Sequence, residues 1–494
     1  MGYRLRETGV PGTMERCPAI GPIPKTRRAT MIDQNKACAF TGYQDFNEDA
    51  MVEHLSEIIK IKTIANRDES LIDYVPYGVL RDYLEKTYPL VHQNCERVII
   101  AKASMLYRWP GNGKSGKKPM LLMAHQDVVP VTPGTEGDWK YPAFDGVVAD
   151  GHVWGRGAID MKNMLCAEFE AMEYLMQKGF VPDRDIYLAL GHDEECGGTG
   201  AMAVAKYMAD QGIELDFVMD EGGEPAHGEE HGASDVLVAS IALFEKGYCD
   251  IHMIANSAGG HSSQPKPGEP SALAKVAKAI LAVEANPLPT SLPIAFEKFY
   301  RALGPHLDDP QMRAICTDLP NRRDELIAIL EKTPQGNATV RTTTAVTQAW
   351  GSPAPNILPQ KATASVNFRL NPRDTIESLM EHVRNAIGDD SIQLIPFEAR
   401  EASKVSPTDS PAFALIEETI HEFYPEMVVA PGGVFGGTDS RKFEDICPNI
   451  YKFSPFFDTS VYGSTMHATN ERISIVDLVR GARFLIRLLE KAAS

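Results

Sequence analysis

Short apolar runs in the first half of the chain predict buried strands. The runs Met120–Ala124, Ile186–Leu190 and Phe217–Met219 are apolar along their whole length, as expected for strands that are buried on both faces. Between them, residues 160–179 and 199–212 place apolar side chains at helical spacing, and a glycine ends each segment. Strands that alternate with helices in this way predict a doubly wound α/β sheet.

The middle of the chain has a different order of elements, β-α-β-β-α-β, which is typical of a small ferredoxin-like sandwich. Its four strands are predicted over Gly247–Ala255, Ala338–Ala349, Lys361–Leu370 and Ser391–Pro396. Its two helices are predicted over Ser271–Ala285 and Thr375–Ile387. A long insert with helical periodicity, Pro287–Asn337, separates the first helix from the second strand.

The α/β pattern returns near residue 400, with helices predicted over Ala412–Phe423 and Ile473–Ala493. The simplest architecture is therefore one α/β domain that is interrupted by a smaller inserted domain. The predicted boundaries are 1–43 for an N-terminal extension, 44–239 and 400–494 for the two parts of the α/β domain, and 240–399 for the inserted domain. The extension lacks a continuous hydrophobic stretch, so we expect a mobile segment rather than a secretory signal, with Met14 and Met31 as alternative natural starts.

Composition narrows the range of partners. Of the 494 residues, 49 are Lys or Arg and 67 are Asp or Glu, which gives a formal net charge of −18. Because such a field repels phosphate, we expect neither nucleic acid nor an anionic membrane as a partner. No apolar run approaches the ~20 residues that span a bilayer. The eight cysteines are scattered singly, without a C-x-x-C pair, which excludes the usual thiolate zinc patterns and predicts a reducing, cytoplasmic location.

Five short segments carry the residues that can do chemistry. They are Met123–Asp127, Gly157–Lys162, Gly191–Gly198, Val218–Gly223 and Thr465–Ala468. Four of the five lie at predicted carboxyl ends of strands or at a helix N-terminus, which is the edge where open α/β sheets bind ligands. Together they predict a mixed cluster of imidazoles and carboxylates. That donor set suits zinc, cobalt or manganese better than copper or an iron–sulfur centre.

Each segment taken alone has a plainer interpretation. A single histidine after a strand, such as His125, is more often a hydrogen-bonded structural residue than a ligand. Asp160 fits a helix N-cap, and Glu194–Glu195 fits a solvated turn. Residues 111–118 nearly spell a phosphate-binding loop, but Lys118 stands where Ser or Thr is needed and a strand follows. The metal hypothesis therefore depends on the five segments together.

The residue types in these segments suit a pair of metal ions. A carboxylate such as Asp160 has two oxygens and can bridge two metals roughly 3.5–4 Å apart, as in two-metal hydrolases. Asp127 stands two residues after His125, where its carboxylate can orient the imidazole ring. In Glu194–Glu195, one side chain can ligate a metal while the other takes a proton from water. Without cations, buried carboxylates at this density would repel one another.

With these five segments in this order, the sequence resembles the di-zinc metallopeptidase family that contains aminoacylase, glutamate carboxypeptidase and carboxypeptidase S. The resemblance extends from about residue 50 to the C-terminus. The length of the chain and its helical insert are most similar to the branch of carboxypeptidase S and the N-acyl-amino-acid hydrolases. The resemblance implies a zinc-peptidase-like catalytic domain with an inserted lid domain, through which two copies form a homodimer in dimeric members.

The resemblance also implies a role for each matching residue. Five side chains would ligate two divalent ions, Zn²⁺ first and Co²⁺ or Mn²⁺ as alternatives: His125, Asp160, Glu195, Asp220 and His467. Asp160 would bridge the two ions. His125 and Asp220 would hold one of them, and Glu195 and His467 would hold the other. Glu194 would be the general base, and Asp127 would orient His125.

Four further residues match lid and substrate motifs of the family. His261, in Gly259–Ser263, would stabilise the oxyanion, and in dimeric members this histidine reaches the site of the other subunit. Asn356 and Arg369 would hold the carboxylate of the substrate. Gly437 lies in a segment, Gly436–Asp439, that resembles the loop lining the substrate end of the site in the family.

The reaction implied by the resemblance is hydrolysis of an amide bond, in a peptide or an N-acyl amino acid, next to an amino acid with a free carboxylate. Arg369 suits that carboxylate because a guanidinium can bind it with two parallel hydrogen bonds. A dipeptidase or aminopeptidase of the same family is an alternative, as is a non-catalytic metal-binding or amino-acid-binding protein on the same fold. The presence of Glu194 disfavours a protein that only binds. A small molecule is the expected partner.

Overall fold

The computed structural model of the chain describes residues 37–457 and 465–494. Its strands are β1 (Glu96–Ile100), β2 (Ser104–Trp109), β3 (Met120–His125), β4 (Val147–Ala149), β5 (His152–Trp154), β6 (Ile186–Gly191), β7 (Phe217–Asp220), β8 (Pro225–His227), β9 (Leu237–Glu245), β10 (Gly247–Asn256), β11 (Gly260–His261), β12 (Thr343–Trp350), β13 (Ile357–Leu358), β14 (Lys361–Leu370), β15 (Gln393–Arg400), β16 (Val428–Val434), β17 (Ile450–Lys452) and β18 (Arg472–Ser474). Its α-helices are α1 (Glu48–Lys60), α2 (Val75–Thr87), α3 (Pro89–Asn94), α4 (Lys162–Gln177), α5 (Thr199–Asp210), α6 (Ala272–Ala285), α7 (Ile294–Leu303), α8 (Pro310–Thr317), α9 (Leu319–Leu330), α10 (Pro334–Val340), α11 (Ile376–Ile387), α12 (Pro411–Phe423) and α13 (Ile475–Ala492). Short 3₁₀ helices include Glu194–Cys196 and Asp439–Phe443.

A mixed sheet forms the centre of the larger domain, with the strand order β1-β2-β6-β3-β7-β17-β9-β16 and with β8 paired to β9. Strands β6, β3, β7 and β17 run parallel to one another. Alternate side chains of β3 enter two different cores. Leu122 packs in the core that contains α4, and Leu121 packs in the core that contains α5. Helices therefore cover both faces of the sheet, which confirms the predicted doubly wound α/β fold.

The carboxyl ends of three parallel strands meet at one edge of this sheet. Strand β3 ends at His125, β6 ends at Gly191 and β7 ends at Asp220. All side chains of these strands are buried, so the residues that follow them start from a rigid frame. This geometry brings three of the five predicted chemical segments to a single edge.

The inserted domain is an antiparallel four-stranded sheet with the order β12-β14-β10-β15. In chain order these are its second, third, first and fourth strands, which is the arrangement predicted from the β-α-β-β-α-β pattern. Helices α6 and α11 cover one face through a core that includes Ile251, Val276, Phe368 and Leu379. The inserted ferredoxin-like sandwich predicted from the sequence is therefore present.

Several predicted boundaries lie elsewhere in the structure: strand β15 runs to Arg400 instead of Pro396, and helix α13 begins at Ile475, after β18, instead of at Ile473. The predicted boundary at residue 240 falls within β9, a strand of the central sheet, and the inserted sheet begins at Gly247. The strand predicted from Ala338 begins only at Thr343, because residues Pro334–Val340 form helix α10. That helix is started by a proline in its first turn and by the Thr333 side chain, which accepts a hydrogen bond from the Gly336 N–H.

The helical insert packs on the central sheet, although the sequence assigned it to the inserted domain. Helix α7 contacts β16, and its Phe296 and Phe299 belong to the same core as Phe244. The Phe296 and Phe244 rings meet edge to face, with centroids 5.7 Å apart. Phe296 also stacks on Phe435, two residues before Gly437, at a centroid distance of 5.9 Å. The insert therefore supports the loop that was predicted to line the substrate end of the site.

The predicted N-terminal extension lies partly within the described residues. Residues 1–36 lie outside them, but residues 37–43 pack against the larger domain. The Ala39 N–H donates to the Phe423 carbonyl over 2.7 Å, and the Phe40 ring stacks on the Phe423 ring at 4.1 Å. The Tyr43 hydroxyl donates to Glu490 over 2.7 Å. The predicted mobility therefore does not hold for residues 37–43.

Two further predictions concern the whole chain. The cysteines within the described ranges are free thiols, in keeping with their scattered positions. Across residues 37–457 and 465–494, the helices are all too short or too polar to cross a bilayer.

Candidate active site

The centre of the site is the carboxylate of Asp160, which contacts two imidazoles at once. Its Oδ1 atom lies 2.9 Å from His125 Nε2, and its Oδ2 atom lies 2.9 Å from His467 Nε2. His125 comes from the end of β3, whereas His467 comes from a loop more than 300 residues later in the chain. Asp160 lies two residues before helix α4, whose N-cap is Met161, so the N-cap interpretation of Asp160 was wrong.

Two groups of possible ligands share this carboxylate. One consists of His125, Asp160 and Glu221, and the other of Asp160, Glu195 and His467. In each group the ligand atoms lie within 4.8 Å of one another, which is close enough for a single cation to bind all three. Glu195 Oε1 is 3.1 Å from His467 Nε2. The structure thus brings together four of the five predicted ligands.

The fifth position differs from the prediction, because Glu221 occupies the place expected for Asp220. Glu221 Oε1 lies 3.5 Å from His125 Nε2. The Asp220 carboxylate instead accepts hydrogen bonds from the backbone N–H groups of Glu221 and Ser440, over 2.9 Å each. Asp220 ends strand β7, and consecutive side chains along a strand point to opposite sides. Its side chain therefore fixes the loop at Ser440, and the following residue faces His125.

Asp127 holds both His125 and the glutamate pair. Its backbone carbonyl lies 3.0 Å from His125 Nδ1, and its Oδ1 atom lies 3.4 Å from the same nitrogen. Its two carboxylate oxygens also accept the backbone N–H groups of Glu194 and Glu195, over 3.2 and 3.1 Å. The predicted role of orienting His125 agrees with this geometry, and the same carboxylate also fixes the turn that carries Glu194.

Burial gives the cluster unusual proton affinities. Burial raises the pKa of Asp220, and burial together with neighbouring carboxylates raises the pKa of Glu194, Glu221 and Asp439. The pKa of Glu221 reaches about 8. Hydrogen bonds to Asp160 and Glu195 raise the pKa of His467 to about 10. The cluster thus gathers more negative charge than its imidazoles can balance, and this donor set fits divalent cations.

The predicted lid residues lie on the inserted domain. His261 in β11 pairs with Ile357 in β13, next to Asn356, whose carbonyl accepts the Ser262 N–H over 3.1 Å. The His261 ring is exposed, and its Nδ1 atom lies 2.8 Å from the Ser263 hydroxyl. These hydrogen bonds are local. They place His261 beside Asn356 but do not connect either residue to Asp160.

Two arginines flank Tyr248 on the open face of the inserted sheet. Arg369 lies with its guanidinium 4.6 Å from the Tyr248 ring centre, and the Arg400 guanidinium lies 5.9 Å from it. Gly437 lies against Arg400, since a Cβ atom at Gly437 would be 2.7 Å from Arg400 Nη2. Within the described ranges, neither arginine forms an ion pair with a carboxylate. Among the described residues, Tyr248 thus lies beside two guanidiniums that lack a carboxylate partner.

A family model described as peptidase family M20/M25/M40 matches residues 121–491, about three quarters of the chain. The chain belongs to this family. It is thus a metallohydrolase, as the sequence predicted. An M20 enzyme uses divalent metal ions, which agrees with the donor set around Asp160.

Known relatives of this M20 enzyme cover nearly its whole length. It is 33% identical over 447 residues to the N-fatty-acyl-amino acid synthase/hydrolase of Xenopus tropicalis, which covers 90% of this chain and 86% of that protein. It is 30% identical over 478 residues to carboxypeptidase S of Saccharomyces cerevisiae, with 86% and 81% covered. The predicted branch of the family is therefore confirmed.

Solved structures of other members share the fold. The M20 family metallo-carboxypeptidase of Sulfolobus solfataricus superposes with a TM-score of 0.61 at 19% identity, over 89% of this chain and 98% of that one. Human carnosine dipeptidase 1 superposes with a TM-score of 0.56 at 14% identity, over 91% and 97%. At these identities the likeness concerns the fold alone.

Sequence reasoning missed two residues of this M20 enzyme: Glu221, which lies beside His125, and Arg400, which lies beside Tyr248 and Gly437. Glu221 was visible as the neighbour of Asp220 in the Asp-Glu-Gly-Gly segment. The sequence did not show which of the two side chains faces His125, because that depends on how strand β7 is oriented in the sheet. Arg400 ends strand β15 and stands outside the segments singled out in the sequence. It became visible only once the inserted sheet had placed it beside Tyr248 and Gly437.

Proposed function

We propose that this M20 enzyme hydrolyses the amide bond of N-acyl amino acids or short peptides that end in a free carboxylate, with the help of two divalent cations. The observation that carries the proposal is the Asp160 carboxylate, which is shared by two groups of converging ligands. A bridging carboxylate of this kind is the usual feature of two-metal hydrolytic sites. Zn²⁺ is the first choice because imidazole and carboxylate donors suit it, with Co²⁺ and Mn²⁺ as alternatives.

The proposed ligands follow the geometry. His125, Asp160 and Glu221 would hold one ion, and Asp160, Glu195 and His467 would hold the other. When bound, such ions acidify water and polarise the carbonyl of the substrate. Glu221 replaces Asp220 in this assignment because the Asp220 oxygens are already engaged by two backbone N–H groups.

Different residues of this chain would then transfer protons, stabilise the oxyanion and bind the carboxylate of the substrate. Glu194 takes a proton from the attacking water and returns it to the leaving amine, and the backbone bond to Asp127 keeps its turn in place. His261 donates a hydrogen bond to the oxyanion when the inserted domain closes over the site. Asn356 and Arg369 bind the carboxylate of the released amino acid, and we add Arg400 to this set.

The relatives suggest which acyl groups to test. The Xenopus tropicalis relative is named for N-fatty-acyl amino acids, and the yeast relative is named as a carboxypeptidase. We expect the zinc-loaded enzyme to hydrolyse members of a panel of N-acetyl, N-oleoyl and peptidyl amino acids, and to lose activity when a chelator removes the metal. The same substrates with an amidated carboxylate should be poor. Preference for a free amino terminus would instead indicate an aminopeptidase, and binding without turnover would refute catalysis.

Arg400 gives a sharper test of carboxylate recognition. We expect Arg400→Met to raise KM for a free-acid substrate by about 10-fold to 100-fold, because a hydrogen bond to a charged group contributes roughly 1.5–3 kcal/mol. Hydrolysis of the corresponding amide should change little. Arg373→Met is the control, since this lid arginine pairs with Asp374 at a distance of 3.3 Å. Equal loss on acid and amide substrates would show that Arg400 does not recognise the carboxylate.

A homodimer formed through the inserted domain and a cytoplasmic location stay predictions. Strands β12 and β15 form the two edges of the inserted sheet. An edge strand can pair with another chain through its free backbone groups, which supports the assignment of this domain as the place of association.

A further inference from the structure

A buried ion pair lies behind the site and joins two of its loops. Glu471 is fully buried, and its Oε1 atom accepts the N–H groups of Gly157 and Ile159 over 2.9 and 3.0 Å. Its Oε2 atom accepts a hydrogen bond from Arg156 Nη1 over 2.5 Å. The first two bonds hold the backbone immediately before Asp160, so Glu471 fixes the segment that presents the shared carboxylate.

Arg156 connects this arrangement to His467. Its Nη1 atom binds Glu471, and its Nη2 atom donates to the backbone carbonyl of His467 over 3.3 Å. The guanidinium lies over the Trp139 ring, 5.4 Å from its centre, and the residue is 3% exposed. One planar side chain therefore binds the Glu471 carboxylate and the His467 backbone at the same time.

The loop that carries His467 needs this support. Both His467, with a φ of +60°, and Asn470, with a φ of +64°, lie in the left-handed region. Asparagine tolerates this conformation, whereas for His467 it costs roughly 1–3 kcal/mol. Such backbone persists only where its surroundings hold it. The Asn470 side chain accepts the Lys140 N–H over 2.6 Å, and Arg156 holds the carbonyl of His467 itself.

The other ligand group depends on the ion pair only through Asp160, the ligand that both groups share. His125 ends a buried strand, and its ring is fixed by Asp127. Glu221 directly follows another buried strand. Only the position formed by Asp160, Glu195 and His467 combines a residue from the Gly157–Asp160 segment with one from the His467 loop.

We propose that Arg156 and Glu471 are positioning residues, which hold the backbone at Asp160 and His467 so that the two side chains converge. This convergence forms the cation position shared by Asp160, Glu195 and His467. The inference rests on the proposed two-metal function and deepens it. The two residues touch neither substrate nor cation. They act by fixing the backbone of two ligands that come from distant parts of the chain.

Two conservative variants test this role. Arg156→Lys keeps the positive charge but has a single ammonium in place of the planar fork, so it cannot reproduce both bonds in the same geometry. Glu471→Gln keeps an acceptor for the Gly157 and Ile159 N–H groups but turns an amide donor toward Arg156. Arg184→Lys is the matched control. Arg184 is also buried and binds both Asp216 and the Lys118 carbonyl, but at the amino ends of the strands.

The experiment measures metal content directly. Wild type and variants of the full chain are dialysed against zinc buffers of graded free concentration, and bound zinc per chain is determined by mass spectrometry. We expect wild type and Arg184→Lys to bind two equivalents. Arg156→Lys and Glu471→Gln should keep one tight equivalent and bind the second about 10-fold to 100-fold more weakly, with kcat restored at high zinc.

The possible outcomes separate this inference from the proposed function. Wild type that binds fewer than two equivalents, or does not hydrolyse amides, would contradict the proposed function. Wild type with two equivalents and variants that bind both as tightly would refute only the positioning role. Thermal melting curves of the same proteins, recorded in parallel, show whether each variant folds. If both variants fail to fold while Arg184→Lys folds, the ion pair is structural and the inference is wrong.

Discussion

Replacement of Glu194 by glutamine is expected to lower kcat by about 10²-fold to 10⁴-fold, which is the usual contribution of a general base. The variant keeps the size of the side chain and its backbone bond to Asp127 but cannot take a proton. Zinc content should stay at two equivalents, because Glu194 belongs to neither ligand group. Single-turnover hydrolysis of an N-acyl amino acid, together with bound zinc per chain, measures both effects.

Glu168 offers a matched control for the removal of a buried carboxylate. It is fully buried in helix α4, and neither of its carboxylate oxygens has a hydrogen-bond partner among the described residues. Glu168→Gln should therefore leave turnover and zinc content unchanged. A Glu194→Gln enzyme with wild-type turnover would remove Glu194 from the mechanism, whereas loss of zinc from that variant would show that Glu194 is a ligand.

The second large effect is expected at Glu221. Glu221→Ala should lose one equivalent of zinc and lower kcat/KM by more than about 100-fold, because even residues behind the ligands change metal affinity 10-fold to 100-fold. Asp220→Asn should keep both equivalents, since Asp220 binds backbone N–H groups rather than facing His125. Loss of these hydrogen bonds should instead lower the melting temperature of the Asp220→Asn variant. Zinc titration and thermal melting of the two variants show which residue, Glu221 or Asp220, is the metal ligand.

The reverse pattern would restore the assignment made from the sequence. If Asp220→Asn releases zinc while Glu221→Ala keeps it, then the loop after β7 rearranges when metal binds. In that case the contact of 3.5 Å between Glu221 and His125 would not describe the loaded enzyme.

The inserted domain shows why local pattern was sufficient for some elements. Strand β14 spans the predicted Lys361–Leu370, and β10 exceeds its predicted end by one residue. In both strands alternate side chains are buried against helices, so the alternation of apolar and polar residues is sufficient to predict where each strand lies. Helix α10 was missed because its sequence, Pro-Gln-Gly-Asn-Ala-Thr-Val, has poor helix propensity and depends on its capped first turn.

The helical insert shows where local pattern was insufficient. Its apolar stripe predicted helices but did not identify the surface that buries them. Helix α7 packs on β16, which lies at the edge of the central sheet and more than 120 residues away in the chain. Burial of an amphipathic helix is favourable against any matching apolar surface, so only the assembled fold selects one.

The amino-acid sequence was sufficient to predict the family, the doubly wound and ferredoxin-like patterns, and the segments that supply His125, Asp160, Glu195 and His467. Local pattern predicts the strand ends and the helix start near His125, Asp160 and Glu195, and the resemblance to the family identified His467. The folded chain was needed to show that Glu221 rather than Asp220 faces His125, and that Arg400 joins Arg369 beside Tyr248. Both depend on how packing across the whole molecule directs a side chain, at the end of β15 for Arg400 and just after the end of β7 for Glu221.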